Sequence, residues 1–424
     1  MGSKCLQLWR PNMSFVERRD LNRPSEGEAP FEVGETFFSR TDNRGIILAG
    51  NDIFRRVSAY NWDDLVGTPH KIIRHPDMPK GVFHLLWDTI QRGQPIAAYV
   101  KNLAKDGLHY WVLAIVLPIE DGFLSVRIKP SCGILATIEK TYATLLQREI
   151  EQGLSPKESA AALLEMLVDL GFPDYAAFET HVLGEEIISM DQKCGNPPDR
   201  SVLGFKEISK SVTDLKISTL KLAEFFEDIG TIPTNLRILA SRLEPSGGPL
   251  SALSENYWKM SDEMTTWFAD FITSSGNAFE TIQSAINHAM LLKCATRILR
   301  EASDQFSREK RKLSGFEVST ERDRIVLLAA QYHKRSIDGL FQTELESKSI
   351  AATIDVLRRH ILGLNTTRVM CKIESAGLST GGESLIDIIS HFERFQKTAE
   401  KNIEDIEKCN SIILGNARVI KALK

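Results

Sequence analysis

The stretch PIAAYVKNLAKDGLHYWVLAIVLPIEDGFLSVRIKP, residues 95–130, decides the fold. Three apolar or alternating runs are separated by Lys-Asp-Gly at 105–107 and Asp-Gly at 121–122. Asp-Gly between two such runs favours a tight turn that twists with its flanking strands, so the three runs predict an antiparallel meander. Upstream, FFSRT, the turn DNRG and GIILAGN predict two further strands. Between the second and third strands lie the helical stretches DIFRRVSAY, WDDLVG and KGVFHLLWDTIQRG, the last stopping at Gly93. The order of two strands, several small helices and three strands predicts an α+β unit. In it a five-stranded antiparallel sheet has covering helices on one face, with room for a small molecule between the layers.

The 424 residues exceed one ordinary core and predict more than one domain. Apolar residues at 42% and charged residues at 25% exclude a disordered or collagenous chain, and a net charge of -4 argues against a phosphate-binding surface and hence against nucleic acid. Six cysteines without a CxxC pair indicate neither a zinc ribbon nor a disulfide framework, and reduced thiols fit a cytoplasmic location. The N-terminal segment lacks the apolar core of a signal peptide, and no apolar run approaches the ~20 residues of a spanning helix. Residues 1–35 mix Pro, Gly, Arg and Glu without a period and read as a flexible lead-in.

From Ile134 onward helical patterns take over. Ser155-Pro156-Lys157-Glu158 carries an N-cap, a proline at the first helical position and a glutamate positioned to cap back. Residues 132–200 therefore read as a helical connector, with CGNPPDR at its end as a linker, and 201–424 as an all-α region of helical hairpins or bundles. Glu149, Glu151 and Glu158 read as a solvated face. NLRILASRLE (235–244) and NTTRVMCKIE (365–374) share an Asn, apolar spacing and a terminal Glu, and each precedes a glycine pair, Gly247-Gly248 and Gly381-Gly382. They predict two related hairpins with glycine tips. No GxxxxGK[ST], GxSxG, HExxH or GxGxxG motif is present, so no enzyme is expected.

The segment RHPDMPK (74–80), the tryptophan thirteen positions after that arginine, and VKN…KDG.HYW (100–111) together resemble the PAS sensory domain of bacterial aerotaxis receptors, over residues 37–131. The resemblance implies a PAS domain at 36–131 that holds FAD non-covalently and reports redox state or oxygen. Its implied flavin-pocket residues are Asn51, Arg74, His75, Asp77, Phe83, Trp87 and Asn102. One position departs from the family: Ile96 stands where members often carry a tryptophan.

The residue types suit such a pocket. Phe83 and Trp87, four apart, share a helix face on which a flat ring can stack. Arg74 offers a planar fork for a pyrophosphate, and Asn51 and Asn102 can donate to and accept from a polar ring edge. His75 titrates near neutrality and could follow a change in ligand charge. Read without the family, Asp77 could cap the next helix, Arg74 could pair with Asp77, and Phe83 and Trp87 could be core. Heme is the competing ligand, with His84 as its axial imidazole, and a ligand-free interaction scaffold the competing role.

The segment IPTNLRILASRLEPSGGPL also resembles, more loosely, the signalling tip of chemoreceptors. Thr234, Asn235, Leu236, Leu239, Ala240 and Glu244 fit that pattern, whereas Arg237, Ser241 and Pro245 do not. This implies a homodimeric, chemoreceptor-like output whose partners are a chemotaxis kinase and coupling protein, or a chemoreceptor.

Overall fold

The computed structural model describes residues 23–229, 234–238, 241, 248–273, 278–308, 318–377 and 382–423. Five strands form one antiparallel sheet: β1 Phe37–Thr41, β2 Ile47–Gly50, β3 Ile96–Leu103, β4 His109–Ile119 and β5 Gly122–Ile128. Their order is β2-β1-β5-β4-β3. The two Asp-Gly turns join β3 to β4 and β4 to β5, where Gly107 has φ +90° and Gly122 φ +149°, backbone states that glycine adopts without a Cβ clash. A Cβ on Gly122 would also lie 2.0 Å from the Thr41 carbonyl oxygen.

Helices α1 (Asp52–Ser58), α2 (Trp62–Leu65) and α3 (Lys80–Gln91), with a 3-10 turn at His70–Ile73, cover the inner face. The outer face is covered as well. Phe306 packs edge-on against Phe38 at 5.0 Å, and Arg40 donates to both carboxylate oxygens of Glu321 at 2.7 and 2.9 Å. Tyr332 reaches the Pro118 carbonyl, and Thr36 N–H donates to Gln305. Residues Asn287–Ile337 thus belong to the same compact unit as the chain up to Leu203. The period-3.6 pattern of these helices identifies a buried stripe but not the surface that buries it. Phe38 and Arg40 of β1 and the Pro118 carbonyl of β4 supply part of that surface.

The connector folds as α4 (Ile134–Gln152), α5 (Pro156–Asp169) and α6 (Tyr175–Cys194). The capping box at Ser155 and Glu158 forms as expected, with Pro156 at the first helical position. Helix α5 packs so closely on α3 that a Cβ on Gly81 would lie 2.5 Å from the Ser159 backbone carbon. Of the three glutamates read as solvated, Glu149 is buried: it accepts from Gly81 N–H at 3.2 Å and from the Ser159 hydroxyl at 2.5 Å. With the Ser159 hydroxyl oxygen, which accepts from the same Gly81 N–H at 3.2 Å, it satisfies the start of α3, whose cap, Pro79, makes no side-chain hydrogen bond.

Within the stretch read as a lead-in, residues 23–35 are packed, and 1–22 lie outside the described residues. Ala29 and Phe31 are buried, Ala29 N–H donates to the His109 carbonyl at 2.7 Å, and Arg56 pairs with Glu35 at 2.6 Å. Two apolar side chains among polar ones carry no period, which is why this anchoring is invisible in composition.

The second unit comprises Gly204–Ile286 and Asp338–Lys424 and, among its described residues, is helical apart from Gly248 and Leu423. Glu344 pairs with Lys421, Arg358 with Glu407 and Lys372 with Glu393, so Val318–Gly377 and Gly382–Ala422 run antiparallel. Phe226 and Phe225 of the Arg200–Ile229 helix both pack on Phe395. Residues 365–374 lie inside the Val318–Gly377 helix, whereas Leu239, Ala240, Glu244, Gly247 and Gly381 lie outside the described residues. No helix among the described residues is long and apolar enough to cross a membrane.

Candidate functional site

Between the sheet and α3 lies a cavity of about 340 Å³, within the usual range for small-molecule sites. The pleat of β5 sends Phe123, Ser125 and Arg127 into it, β3 contributes Val100 and Asn102, and β1 contributes Ser39 and Thr41. Helix α3 contributes Phe83, Leu86, Trp87 and Ile90, recurring at three- and four-residue steps on one face.

One end of the cavity is aromatic. Trp87 meets Phe123 edge to face at 5.5 Å. Gly45, at φ +79°, lies beside the indole, where a Cβ would come within 3.1 Å of it. Ile96, where members of the resembled family often carry a tryptophan, is not among the lining residues and packs in a core cluster with Leu86, Ile90, Val116 and Phe123.

The other end is polar. Arg127 is 2% exposed and forms no ion pair among the described residues. Its Nη2 donates to the Ser39 hydroxyl at 2.8 Å and to His70 Nε2 at 2.6 Å, and its guanidinium lies over the rings of Phe54 and Phe37 at 5.3 and 5.7 Å. A guanidinium has only donors, so His70 Nε2 accepts and the imidazole is neutral with its proton on Nδ1. Burial and the adjacent Arg127 charge both hold the His70 pKa well below its ordinary value, and burial brings Arg127 down to about 10. The Arg127 Nη1 and the Asn102 Nδ2 have no hydrogen-bond partner, and Asn102 is 3% exposed. Buried donors without acceptors are costly, and these two residues line one cavity.

Of the seven residues named from the sequence, Arg74, Phe83, Trp87 and Asn102 line the cavity, and Asn51, His75 and Asp77 do not. The Asn51 side chain caps α1, accepting from Phe54 N–H and Phe38 N–H and donating to the Thr36 carbonyl. Its donors and acceptor are committed to backbone. Asp77 pairs with Lys101 at 2.6 Å and caps no helix. His75 accepts from Asp77 N–H at 3.1 Å. Arg74 does not pair with Asp77. Its guanidinium stacks 3.9 Å above Phe83 and donates to the Met78 carbonyl. His84 is half-buried on α3 and is not among the lining residues, and no cluster of metal-ligating side chains occurs among the described residues.

Arg127, His70 and Ser39 escaped the sequence reading. In FLSVRI the alternation puts Leu124, Val126 and Ile128 on one side and Phe123, Ser125 and Arg127 on the other. A lone arginine in such a strand therefore reads as the exposed side. The available signal was that β5 is a central strand, on which a charge must face a cavity or a partner.

Residues 47–125 match the family model described as the PAS fold, a span that includes most of the five-stranded sheet and its covering helices. Among curated proteins the chain is similar to the aerotaxis receptor of Escherichia coli, 35% identical over 139 residues, covering 31% of this chain and 28% of the receptor. It is also similar to the bacterioopsin transcriptional activator of Halobacterium salinarum, 27% identical over 116 residues, covering 27% of this chain and 17% of that protein. The chain therefore matches less than a third of the length of either relative. Among solved structures it is similar to the light state of the Aureochrome1 LOV photoreceptor domain, at 21% identity and TM-score 0.21, covering 28% of this chain and 91% of that one. A LOV domain studied with a flavin analogue matches at 18% identity and TM-score 0.22, covering 28% of this chain and 90% of that one.

Proposed function

We propose that the protein is a cytoplasmic signal-transduction sensor whose PAS cavity holds a flavin, FAD by the resemblance to aerotaxis receptors, and whose output is carried by the helical regions. The observation that carries this reading is one cavity lined by Phe83, with an aromatic end at Trp87 and Phe123 and a polar end with two unpaired donors. An isoalloxazine has the same division, an apolar benzenoid edge and a polar pyrimidine edge. The residues therefore fit the group, with Trp87 and Phe83 walling the ring, Asn102 and Arg127 donating to its polar edge, and Arg44 and Lys71 bringing positive charge to the lining. When bound, the flavin would supply reversible electron uptake, which would report redox state or oxygen.

The relay runs through β3, which presents Val100 and Asn102 to the cavity and its backbone edge to the connector. Tyr175 donates to the Ala97 carbonyl at 2.8 Å, Tyr142 to the Tyr99 carbonyl at 3.3 Å, and Glu179 accepts from Ala97 N–H. A change in what Asn102 bonds shifts the strand that α4 and α6 hold, and a ligand biases that shift by its differential affinity for the two positions. For the output, Phe341, Leu345, Leu362, Val369 and Ile373 are exposed on one long helix, a surface suited to a homodimer of chemoreceptor type.

The test is the absorption spectrum of the purified full-length protein and the identity of the chromophore released on denaturation. FAD in wild type, lost in a folded Trp87→Ala variant, is the expected result. A colourless protein that takes up neither FAD nor FMN on reconstitution overturns the reading.

A further inference from the structure

Arg127 is a buried cation that the chain itself does not neutralise. Its donors reach one serine hydroxyl and one neutral imidazole, its flanks are Phe37 and Phe54, and no carboxylate pairs with it among the described residues. The nearby Tyr110 phenol is fully buried, and burial holds its proton on, so it offers no counter-charge. An isolated buried charge of this kind is costly, and a stability-driven strand would replace it with an apolar residue. The free Nη1 and the free Asn102 Nδ2 line the same space, with the Ser125 and Ser39 hydroxyls beside them.

We propose that the Arg127 end of the cavity is an anion-accepting subsite, selecting a planar ligand in the charge state that places delocalised negative charge against Arg127 and Asn102. This rests on the proposed function in placing the ligand in this cavity and not in its being a flavin. If the ligand is a flavin, the favoured form is the ring that has taken up two electrons and one proton. If it is not, the favoured ligand is an aromatic carboxylate. The shared chemistry is a flat π-system carrying an anion at one edge, opposite the Trp87 wall.

The experiment has two arms on the full-length chain. Where the protein carries a flavin, an electrode supplies the electrons and the midpoint potential is measured in wild type, Arg127→Gln and Arg127→Lys. Arg127→Gln is expected to lose at least tenfold in its preference for the reduced ring, about 30 mV towards negative potential for a two-electron couple, with Arg127→Lys retaining most of it. An unchanged potential in Arg127→Gln overturns the proposal. Where the protein carries no flavin, 2-naphthoate and its neutral isostere 2-naphthamide are titrated calorimetrically. Wild type is expected to favour the carboxylate at least tenfold, Arg127→Lys to keep that preference and Arg127→Gln to lose it. Equal affinities in wild type, or a preference that survives in Arg127→Gln, overturn it. In the naphthoate arm the wild-type pair needs no variant, so that arm stays decisive even if Arg127→Gln fails to fold. A colourless protein that still discriminates for naphthoate removes the flavin and leaves the subsite standing. A flavoprotein with an unshifted potential does the reverse.

Discussion

On its outer edge β3 gives Ala97 N–H to Glu179 and receives the hydroxyls of Tyr175 and Tyr142. Seven residues beyond Glu179 on the same helix, Glu186 accepts from the Tyr99 hydroxyl at 2.6 Å, from Ser131 N–H at 2.6 Å and from Cys132 N–H at 3.0 Å. On its inner side, Asn102 of the same strand and Arg127 of β5 hold donors with no acceptor. Both environments are buried, so solvent does not explain the contrast. An edge strand must be covered or it will pair with another chain, and the connector covers it with matched acceptors. A cavity that binds something must keep groups unmatched until the ligand arrives, because polar groups satisfied internally have nothing left to offer. The two sides of β3 therefore separate what holds the fold from what waits for a ligand.

The contrast breaks most directly at Glu186. Replacing it with alanine leaves the Tyr99 hydroxyl and the Ser131 and Cys132 amides without their acceptor, and we expect a loss of about 3 kcal/mol of unfolding free energy, read by urea denaturation. A loss below about 1 kcal/mol would mean that the connector merely rests on the sheet. Next is Gly81→Ala. The new methyl meets Ser159 and Ala160 backbone, which cannot rotate away, so α3 and α5 must separate at a cost of about 2 kcal/mol. Because α3 carries Phe83 and Trp87, ligand retention should fall with it.

How much of this was open to sequence follows from which signals are local. Asp-Gly turns, alternation and the Ser155 capping box depend on neighbours a few residues away, and the strands at 37–41, 96–103, 109–119 and 122–128 lie where the sequence places them. Phe83 and Trp87 also reach the cavity as their four-residue spacing requires. Asn51 is the opposite case. Its amide type suits a ligand edge, but an Asn before Asp-Ile-Phe at the end of a strand is equally an N-cap, and the structure commits it to that role. Glu149, Glu179 and Glu186 lie on amphipathic helices, where period alone assigns acids to solvent. They are buried because distant backbone amides need acceptors, a requirement no local window contains.

Glu179 sharpens the comparison by pH. Burial raises its pKa from the ordinary carboxylate range to about 8, with the Ala97 N–H acting against the rise. A folded-state pKa above the unfolded one means that the folded form binds the extra proton between those values, so stability falls as pH rises through that window. Wild type should lose up to about 1.4 kcal/mol per pH unit relative to Glu179→Gln between pH 5 and about 8, the glutamine keeping an acceptor without the charge. Parallel slopes for the two proteins would show that Glu179 reaches water when ionised.

The smallest effect is expected on the cavity side. Asn102→Leu removes an amide whose Nδ2 has no partner and substitutes an apolar side chain of similar size, so unfolding free energy should change by less than about 1 kcal/mol, while affinity for the cavity ligand falls at least tenfold. The two readouts must separate for the contrast to hold. If stability falls as far as in Glu186→Ala, Asn102 is a structural group of the sheet and β3 does not divide into a holding side and a waiting side. If stability holds and affinity also holds, the unpaired amide is not aimed at the ligand and the polar end reduces to Arg127 alone. Only an unchanged fold with weakened binding fits a donor kept unmatched for use.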